Sequence, residues 1–232
     1  MGRIDPAEFD PDIEPDSEKL NRLGKLVLGS VPVAGPVISE VFASIFESPL
    51  ARRRTEWMYK VTEVLNELMD SGVLTEKDLQ QNEVFVSTVS QACTIALRNH
   101  QEEKLCALRN AVKNTALTTC PEEDFRQLFL NFIDVCTVTH IRLLHLFAGP
   151  EAWARANGIE FPSGWHMGGM RQVIEHAYPD LKDRQGLYDP IWKDMYQRGL
   201  VTSDSLGSTM SRQGMMSARL TPMGQDLLAF IS

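Results

Sequence analysis

The stretch from Gln101 to Phe147 has the clearest helical periodicity in this chain of 232 residues. Its apolar residues recur at the three- and four-residue spacing that brings side chains onto one face of an α-helix. The two stripes are Leu105, Leu108, Val112 and Ala116, followed by Phe125, Leu128, Phe129, Phe132, Ile133 and Cys136. Each stripe predicts an amphipathic helix whose apolar side faces a core.

Boundary signals separate these helices. Between the two stripes, the run Thr119-Cys120-Pro121-Glu122-Glu123 combines a capping residue, a proline suited to the first helical position and carboxylates at the positive end of the helix dipole. A helix is therefore predicted to begin there. Thr137 is expected to cap the next helix, and Gly149-Pro150 is expected to end it.

Similar signals precede this stretch. Trp57 to Leu68 form a helical pattern that Ser71-Gly72 ends, Thr75 is placed to cap a short turn, and Asn82 to cap a longer helix. We therefore predict a multi-helical domain over residues 20–160. Residues 1–19, with three prolines and seven acidic residues, are predicted to form a mobile acidic arm.

Charge and cysteine content restrict the class of protein. The formal net charge of −8 argues against broad attraction to nucleic-acid backbones. The four cysteines show neither the close pairs of a zinc site nor a secretory signal, which favours reduced, mostly buried thiols and a cytoplasmic location. No cofactor is predicted.

The apolar segment from Leu23 to Phe46 is interrupted by glycines and prolines, and the basic run Arg52-Arg53-Arg54 follows it. Its longest uncharged run, Leu26 to Ser39, has 14 residues, which is too short for a simple transmembrane helix. We expect a small-residue turn between core helices. The alternative is a segment that contacts a membrane or a partner through Val33, Val37, Val41, Phe42, Ile45 and Phe46.

The density of glycines and prolines in residues 149–165 suits a linker or an irregular connection, and the pattern changes beyond it. Helices are predicted from about Met167 to Ala177 and from about Leu187 to Gln197. Two strands, Val201 to Leu206 and Met215 to Leu220, are expected to form a hairpin with a polar tip. A closing helix is predicted after Thr221-Pro222.

This order resembles the latter half of a winged helix-turn-helix domain, through Arg198 to Val201 and Leu220 to Leu228. The fold class is therefore predicted as mainly α, with a small winged-helix (α+β) domain over residues 161–232. Nucleic-acid or partner contacts are expected at Lys193, Gln197, Arg198 and Arg212. Because residues 165–232 contain seven basic and seven acidic residues, a protein partner is favoured over DNA.

The whole chain also distantly resembles the bacterial abortive infection alpha family. The residues that carry this resemblance are Glu103 to Val112, Phe129 to Ile133 and Ile141 to Leu146. The resemblance implies a helical protein of antiphage defence that acts through protein partners or a membrane, without catalytic residues. A DNA-binding transcriptional regulator is the alternative, and self-association is left open.

Residue patterns that support catalysis or metal binding do not stand out. The sequence has no glycine-rich phosphate loop, no paired-cysteine zinc pattern and no His-Glu-x-x-His helix. His140 and His145 are five residues apart and so fall on different faces of a helix. A structural role is expected for them, and we predict no catalytic, cofactor-binding or metal-binding residues.

Overall fold

The structure is a computed structural model that describes residues 36–72, 74–117 and 120–232, with side chains from Pro49 onward. The residues described form eleven α-helices and one sheet of two short strands, which confirms the mainly α fold class. The chain divides into two compact units, Met1–Cys120 and Pro121–Ser232. The boundary expected near residue 160 falls inside the second unit, because the helix after Thr137 packs on later helices.

In the first unit the helices are α1 (Pro36–Asp70), α2 (Glu76–Gln81), α3 (Glu83–Arg98) and α4 (Glu102–Thr115). Helices α1, α3 and α4 pack against one another, and α2 packs on α3. The shared core contains mainly small and branched apolar side chains around two aromatic rings. Its members include Trp57, Val61, Val64, Leu68, Phe85, Ala92, Ile95, Ala96, Ala107, Leu108, Ala111 and Val112.

The helix boundaries of this unit follow the predicted signals. The Asp78 carboxylate accepts a hydrogen bond from the Thr75 backbone N–H at 2.8 Å, which forms one half of a capping box at α2. Asn82 Oδ1 accepts the N–H of Phe85 at 2.9 Å at the start of α3. Gly72, just after α1, has a φ of +70°, the left-handed conformation that glycine adopts most readily. These three predictions are confirmed.

Helix α1 differs from the expected small-residue turn, because from Pro36 onward the backbone is helical and continues through Pro49 to Asp70. Pro49 lies inside this helix and removes one backbone hydrogen bond of a long series. The turn is therefore a wrong prediction for residues 36–46. Val33 and the predicted arm at 1–19 lie outside the described residues.

Two groups of ion pairs join α1 to α4. Lys60 Nζ lies 2.6 Å from Glu102 Oε1, and Glu67 receives both Lys113 Nζ at 2.7 Å and the guanidinium of Arg109. The hydrogen bond from Lys113, opposed in part by desolvation, holds the pKa of the Glu67 carboxyl below its ordinary value. All four cysteines carry thiols, but only Cys136 is fully buried, so the expectation of mostly buried thiols is wrong.

The second unit contains the remaining elements. They are α5 (Glu123–Val135), α6 (Val138–Ala148), α7 (Pro150–Ala156), β1 (Met167–Gly168), α8 (Met170–Ala177), a 3-10 helix (Pro179–Leu181), α9 (Gln185–Gln197), β2 (Met210–Ser211), α10 (Arg212–Met215) and α11 (Pro222–Ile231). Helix α6 is central, because it contacts α7, α8, α9 and α11. Its Leu143, Leu144, Leu146 and Phe147 side chains are completely buried.

Two predicted boundaries shift in this unit. Helix α5 begins at Glu123, so Pro121 precedes the helix, although the acidic first turn is present as expected. Pro150 does not lead into an irregular linker but occupies the first position of α7. That position tolerates proline, since a backbone N–H there would have no acceptor within the helix.

The expected hairpin forms only at its base. Val201 and Leu220 form an antiparallel bridge, supported by a 2.9 Å hydrogen bond from Thr202 N–H to the Arg219 carbonyl. Farther out, β2 pairs with β1 in the register Met167↔Ser211 and Gly168↔Met210, and residues 212–215 are helical. The strand predicted from Met215 to Leu220 is therefore wrong. Met215 and its neighbour Met216 are both buried, which the alternating sides of a half-buried strand do not allow.

The last predicted helix is confirmed as α11. Thr221 Oγ1 accepts the N–H of Gly224 at 3.0 Å, and Pro222 takes the first helical position. Gly199, which follows α9, has a φ of +72°. No helix of the described residues is long and apolar enough to cross a membrane.

Candidate interaction surface

Helix α9 carries two of the four predicted contact residues on one exposed side. Its inner side is fixed by four buried side chains, Tyr188, Ile191, Trp192 and Met195. The Trp192 ring contacts the Phe147 ring of α6 edge-on, with centroids 4.8 Å apart. Since α9 is anchored in this way, its outer side has a fixed orientation.

The outer side of α9 presents Lys193, Tyr196 and Gln197, which we call the α9 face. Lys193 and Gln197 are one helical turn apart and both are exposed, as the sequence predicted. Tyr196 lies between them and is 44% exposed, but the sequence analysis did not single it out. Tyr196 is adjacent to the inward-facing Met195, and neighbouring residues of a helix point in different directions, so the sequence could have placed Tyr196 on the outer side.

Arg198 is not a separate cation on this face. Its Nε lies 2.7 Å from Asp194 Oδ2, and its guanidinium lies over the Phe132 ring, 5.7 Å from the centroid. The same Asp194 oxygen lies 3.2 Å from His140 Nε2. The charge of Arg198 is therefore balanced within a cluster of Phe132, His140, Asp194 and Arg198.

Arg212 lies elsewhere in the unit, at the first position of α10. Its backbone N–H donates to the His166 carbonyl at 3.0 Å, and its guanidinium donates to the Pro162 carbonyl. These bonds connect α10 to the segment that precedes β1. The structure thus brings Lys193 and Gln197 together, directs Arg198 to Asp194, and uses Arg212 to hold a loop.

Other arginines of this unit also have intramolecular acceptors. Arg171 donates to both carboxylate oxygens of Asp189, at 3.2 and 2.5 Å, and Arg219 donates to the Gly214 carbonyl at 2.6 Å. Together with Arg198 and Arg212, four of the seven basic residues between 165 and 232 hold such contacts. Carboxylates balance the charge of Arg171 and Arg198, and the bonds to carbonyls fix the orientation of the Arg212 and Arg219 side chains, so fewer of these arginines are available to contact a phosphate backbone.

A further ion pair lies beside a half-buried tyrosine. Arg142 donates to the two oxygens of Asp180 at 2.7 and 2.6 Å, and its guanidinium lies 4.1 Å from the centroid of the Tyr178 ring. The hydrogen bond from Arg142 lowers the pKa of the Asp180 carboxyl, although desolvation opposes it. Burial raises the pKa of the Tyr178 hydroxyl to about 12.

Helix α5 exposes part of a stripe that was predicted to be buried. Phe129, Phe132 and Ile133 face the core, whereas Phe125 is 40% and Leu128 is 52% exposed. The inward prediction for those two residues is wrong, because the apolar stripe is wider than the side of the helix that meets neighbours. We call the exposed set Phe125, Leu128 and Val135 the α5 face.

The histidines do not share a surface. His140 is buried in the cluster described above, whereas His145 is exposed. Across the described part of the chain, no group of three or more histidine, cysteine, aspartate or glutamate side chains is placed to hold a metal ion.

No family model, curated protein or solved structure matches this chain. The resemblance to the abortive infection family therefore stays a prediction. The exposed features of the second unit that bear on function are the α9 face, the α5 face and the distribution of charge around them.

Proposed function

We propose that this chain is a non-enzymatic interaction protein of bacterial antiphage defence, of the abortive-infection type, which acts by docking a protein partner. The docking role is supported mainly by the contacts of four arginines of the second unit, Arg171, Arg198, Arg212 and Arg219, with acceptors inside the protein. The α9 face then offers a tyrosine, a glutamine and a single lysine. Tyrosine is enriched at protein interfaces because its ring is apolar and its hydroxyl forms hydrogen bonds.

Affinity capture from the native host tests this role. The tagged full chain would be compared with a variant that carries Lys193→Ala, Tyr196→Ala and Gln197→Ala, and captured proteins would be identified by mass spectrometry. The matched control carries Tyr59→Ala, Lys77→Ala and Gln81→Ala, which removes the same residue types from exposed positions of the first unit. We expect a partner that is lost only from the α9 variant.

The defence role has its own readout. Cells that express the wild-type chain together with the genes next to its own gene in the native genome should reduce the plating efficiency of a susceptible phage. Cells that express the α9 variant in the same way should not. Equal protection by the α9 variant, with the partner still captured, would contradict the assignment of the α9 face.

A DNA-binding regulator is the alternative function. The feature that favours it is the succession of α8, α9 and the Val201–Leu220 bridge, an order compatible with a winged helix that would use α9 for recognition. If α9 reads DNA, Lys193→Ala should weaken duplex binding across sequences and reduce its dependence on salt. Arg212→Ala should change binding less, since its guanidinium contacts Pro162.

Fluorescence anisotropy with a labelled duplex distinguishes the two functions. We expect weak binding at physiological salt by the full chain. Tight binding that falls steeply between low and moderate salt would favour the regulator instead.

The site of action is proposed to be the cytoplasm, with contact to a membrane through residues 23–46 as the alternative. Liposome flotation with anionic lipids tests that alternative. Stable co-flotation of the wild type, lost in the Val41→Asp and Phe42→Asp double variant, would assign these residues to a membrane. We expect the chain to stay unbound.

A further inference from the structure

Helix α5 concentrates exposed apolar side chains. The second unit has five large apolar side chains that are exposed among the residues described, and three of them are Phe125, Leu128 and Val135 on α5. At about 100° of rotation per residue, these three fall within about 80° of one another. They form one stripe that extends about 15 Å along the helix, at about 1.5 Å per residue.

The stripe has a rigid support. Phe125 contacts the ring of Phe129, with centroids 6.1 Å apart, and Phe129 contacts Phe230 of α11 at 5.9 Å. Phe129, Leu130 and Ile133 are almost completely buried. A partner that covers the stripe would therefore meet a surface that is already ordered, which lowers the entropy lost on binding.

The exposed charged side chains at the N-terminal end of α5 are acidic. Glu122, Glu123 and Asp124 are exposed at its N-terminal end, and Asp124 borders Phe125 directly. The basic residue of this helix, Arg126, is buried, with 7% of its surface exposed, and donates to the Pro121 carbonyl at 3.4 Å. The exposed side of α5 thus combines an apolar stripe with an acidic end.

We propose that the α5 face docks an amphipathic helix of a partner protein, with an apolar side that covers Phe125, Leu128 and Val135 and with lysine or arginine residues that meet Glu122 to Asp124. An apolar helix side supplies the affinity of such a helix-in-groove or helix-on-helix contact. Opposite charges set its orientation and exclude acidic competitors. This surface lies on a different helix from the α9 face, and its test does not require the defence role.

Two synthetic peptides of about 18 residues test the proposal, a length at which isolated helices are stable enough to dock. Both peptides carry leucines at the same positions, which form one side of the helix. The remaining positions are lysine in one peptide and glutamate in the other. Fluorescence anisotropy measures the binding of each labelled peptide to the full chain. We expect the lysine peptide to bind at least about tenfold more tightly than the glutamate peptide.

Variants of the full chain separate the apolar and charged contributions. Phe125→Ser with Leu128→Asn should weaken binding of the lysine peptide by about tenfold or more. Glu122→Gln, Glu123→Gln and Asp124→Asn together should reduce the preference for lysine over glutamate. The control is Val84→Ser with Val86→Asn on α3, where the two valines are 38% and 48% exposed. It should bind as the wild type does.

Circular dichroism and thermal melting verify that each variant keeps its helix content, which is expected because the changed side chains are exposed. The proposal is overturned if the wild type binds neither peptide or binds both equally. It is also overturned if the α3 control loses binding as the α5 variant does. A wild-type dimer that becomes a monomer on Phe125→Ser and Leu128→Asn, measured by light scattering, would show instead that a second copy covers this face.

Discussion

The Nδ1 atom of His140 accepts a hydrogen bond from the backbone N–H of Thr137 at 3.0 Å. A backbone N–H can only donate, so Nδ1 carries no proton and the imidazole proton is on Nε2, 3.2 Å from Asp194 Oδ2. His140 thereby takes the role that glutamate or glutamine usually has in a capping box. One side chain connects the start of α6 to the last turns of α9.

Replacing His140 by alanine should destabilise the second unit by about 1–3 kcal/mol, because the Thr137 N–H and the Asp194 carboxylate both lose a partner. Urea unfolding measures the change in the free energy of unfolding. His100→Ala, at an exposed position, is the control and should change it by less than about 0.5 kcal/mol. Nitrogen chemical shifts should report the Nε2–H tautomer, and a proton on Nδ1 at neutral pH would contradict the assignment.

Leu130 and Leu128 provide a matched test of the orientation of α5. Leu130 is 1% exposed and Leu128 is 52% exposed, although both lie in the middle of the same helix. Leu130→Ala should cost about 2–5 kcal/mol of unfolding free energy through lost burial and a cavity, whereas Leu128→Ala should cost less than about 0.5 kcal/mol. Chemical denaturation measures both. Equal costs would mean that Leu128 also packs in a core.

Gly224 is required by a close approach of two backbones. A Cβ at this position would overlap the carbonyl oxygen of Leu200, which accepts the N–H of Thr221 at 3.0 Å. Gly224→Ala should therefore destabilise by about 1–3 kcal/mol through overpacking. Gly186→Ala on α9 is the counterpart, since a Cβ there would meet no atom within 4 Å.

Because alanine favours helix over glycine by about 0.5–1 kcal/mol, Gly186→Ala should leave the melting temperature unchanged or raise it. Thermal unfolding of the two variants side by side gives the comparison. A neutral effect of Gly224→Ala would show that α11 shifts away from Leu200 at little cost.

The Arg142–Asp180 pair should give a pH-dependent contribution to stability. Since Arg142 lowers the pKa of Asp180 in the folded state, the contribution is present above the unfolded pKa of about 4 and is lost as the pH falls through the lower folded value. The carboxylate is 56% exposed, so the wild type should exceed Asp180→Asn by about 1 kcal/mol or less at pH 7. Urea unfolding at pH 7, 5 and about 3 measures the difference.

Asp204→Asn is the control for this experiment, because Asp204 is exposed and makes no ion pair within the described part of the chain. A difference for Asp180→Asn that grows as the pH falls would contradict the assigned direction of the pKa shift.

Local signals predicted much of the helical structure. Thr75, Asn82, Thr137 and Thr221 each precede a helix as expected, because a cap depends on a few adjacent residues. The prediction of which apolar side chains of α5 are buried was less accurate. Its apolar stripe is wide, and which part of a wide stripe is buried depends on neighbours that the local sequence does not specify.

Of the candidate contact residues, Lys193 and Gln197 lie on one exposed side because their spacing on a helix requires it. The ion pair of Arg198 with Asp194 also fits a helical spacing of four residues. The contacts of Arg198 with Phe132 and of Arg212 with Pro162 could not be predicted locally, because these partners are distant in sequence. Long, flexible arginine side chains reach whichever acceptor the fold brings near.

The sequence by itself determined the mainly helical character, most helix starts and the helix ends near Gly72 and Gly199. These features follow from periodicity, from capping chemistry and from the ease with which glycine adopts a positive φ. Only the tertiary structure decided that β2 pairs with β1, that His140 caps α6 while it contacts Asp194, and that Phe125 and Leu128 face outward. These features join segments that are far apart in the chain. Their energies arise from burial and hydrogen bonds that exist only after the segments have come together.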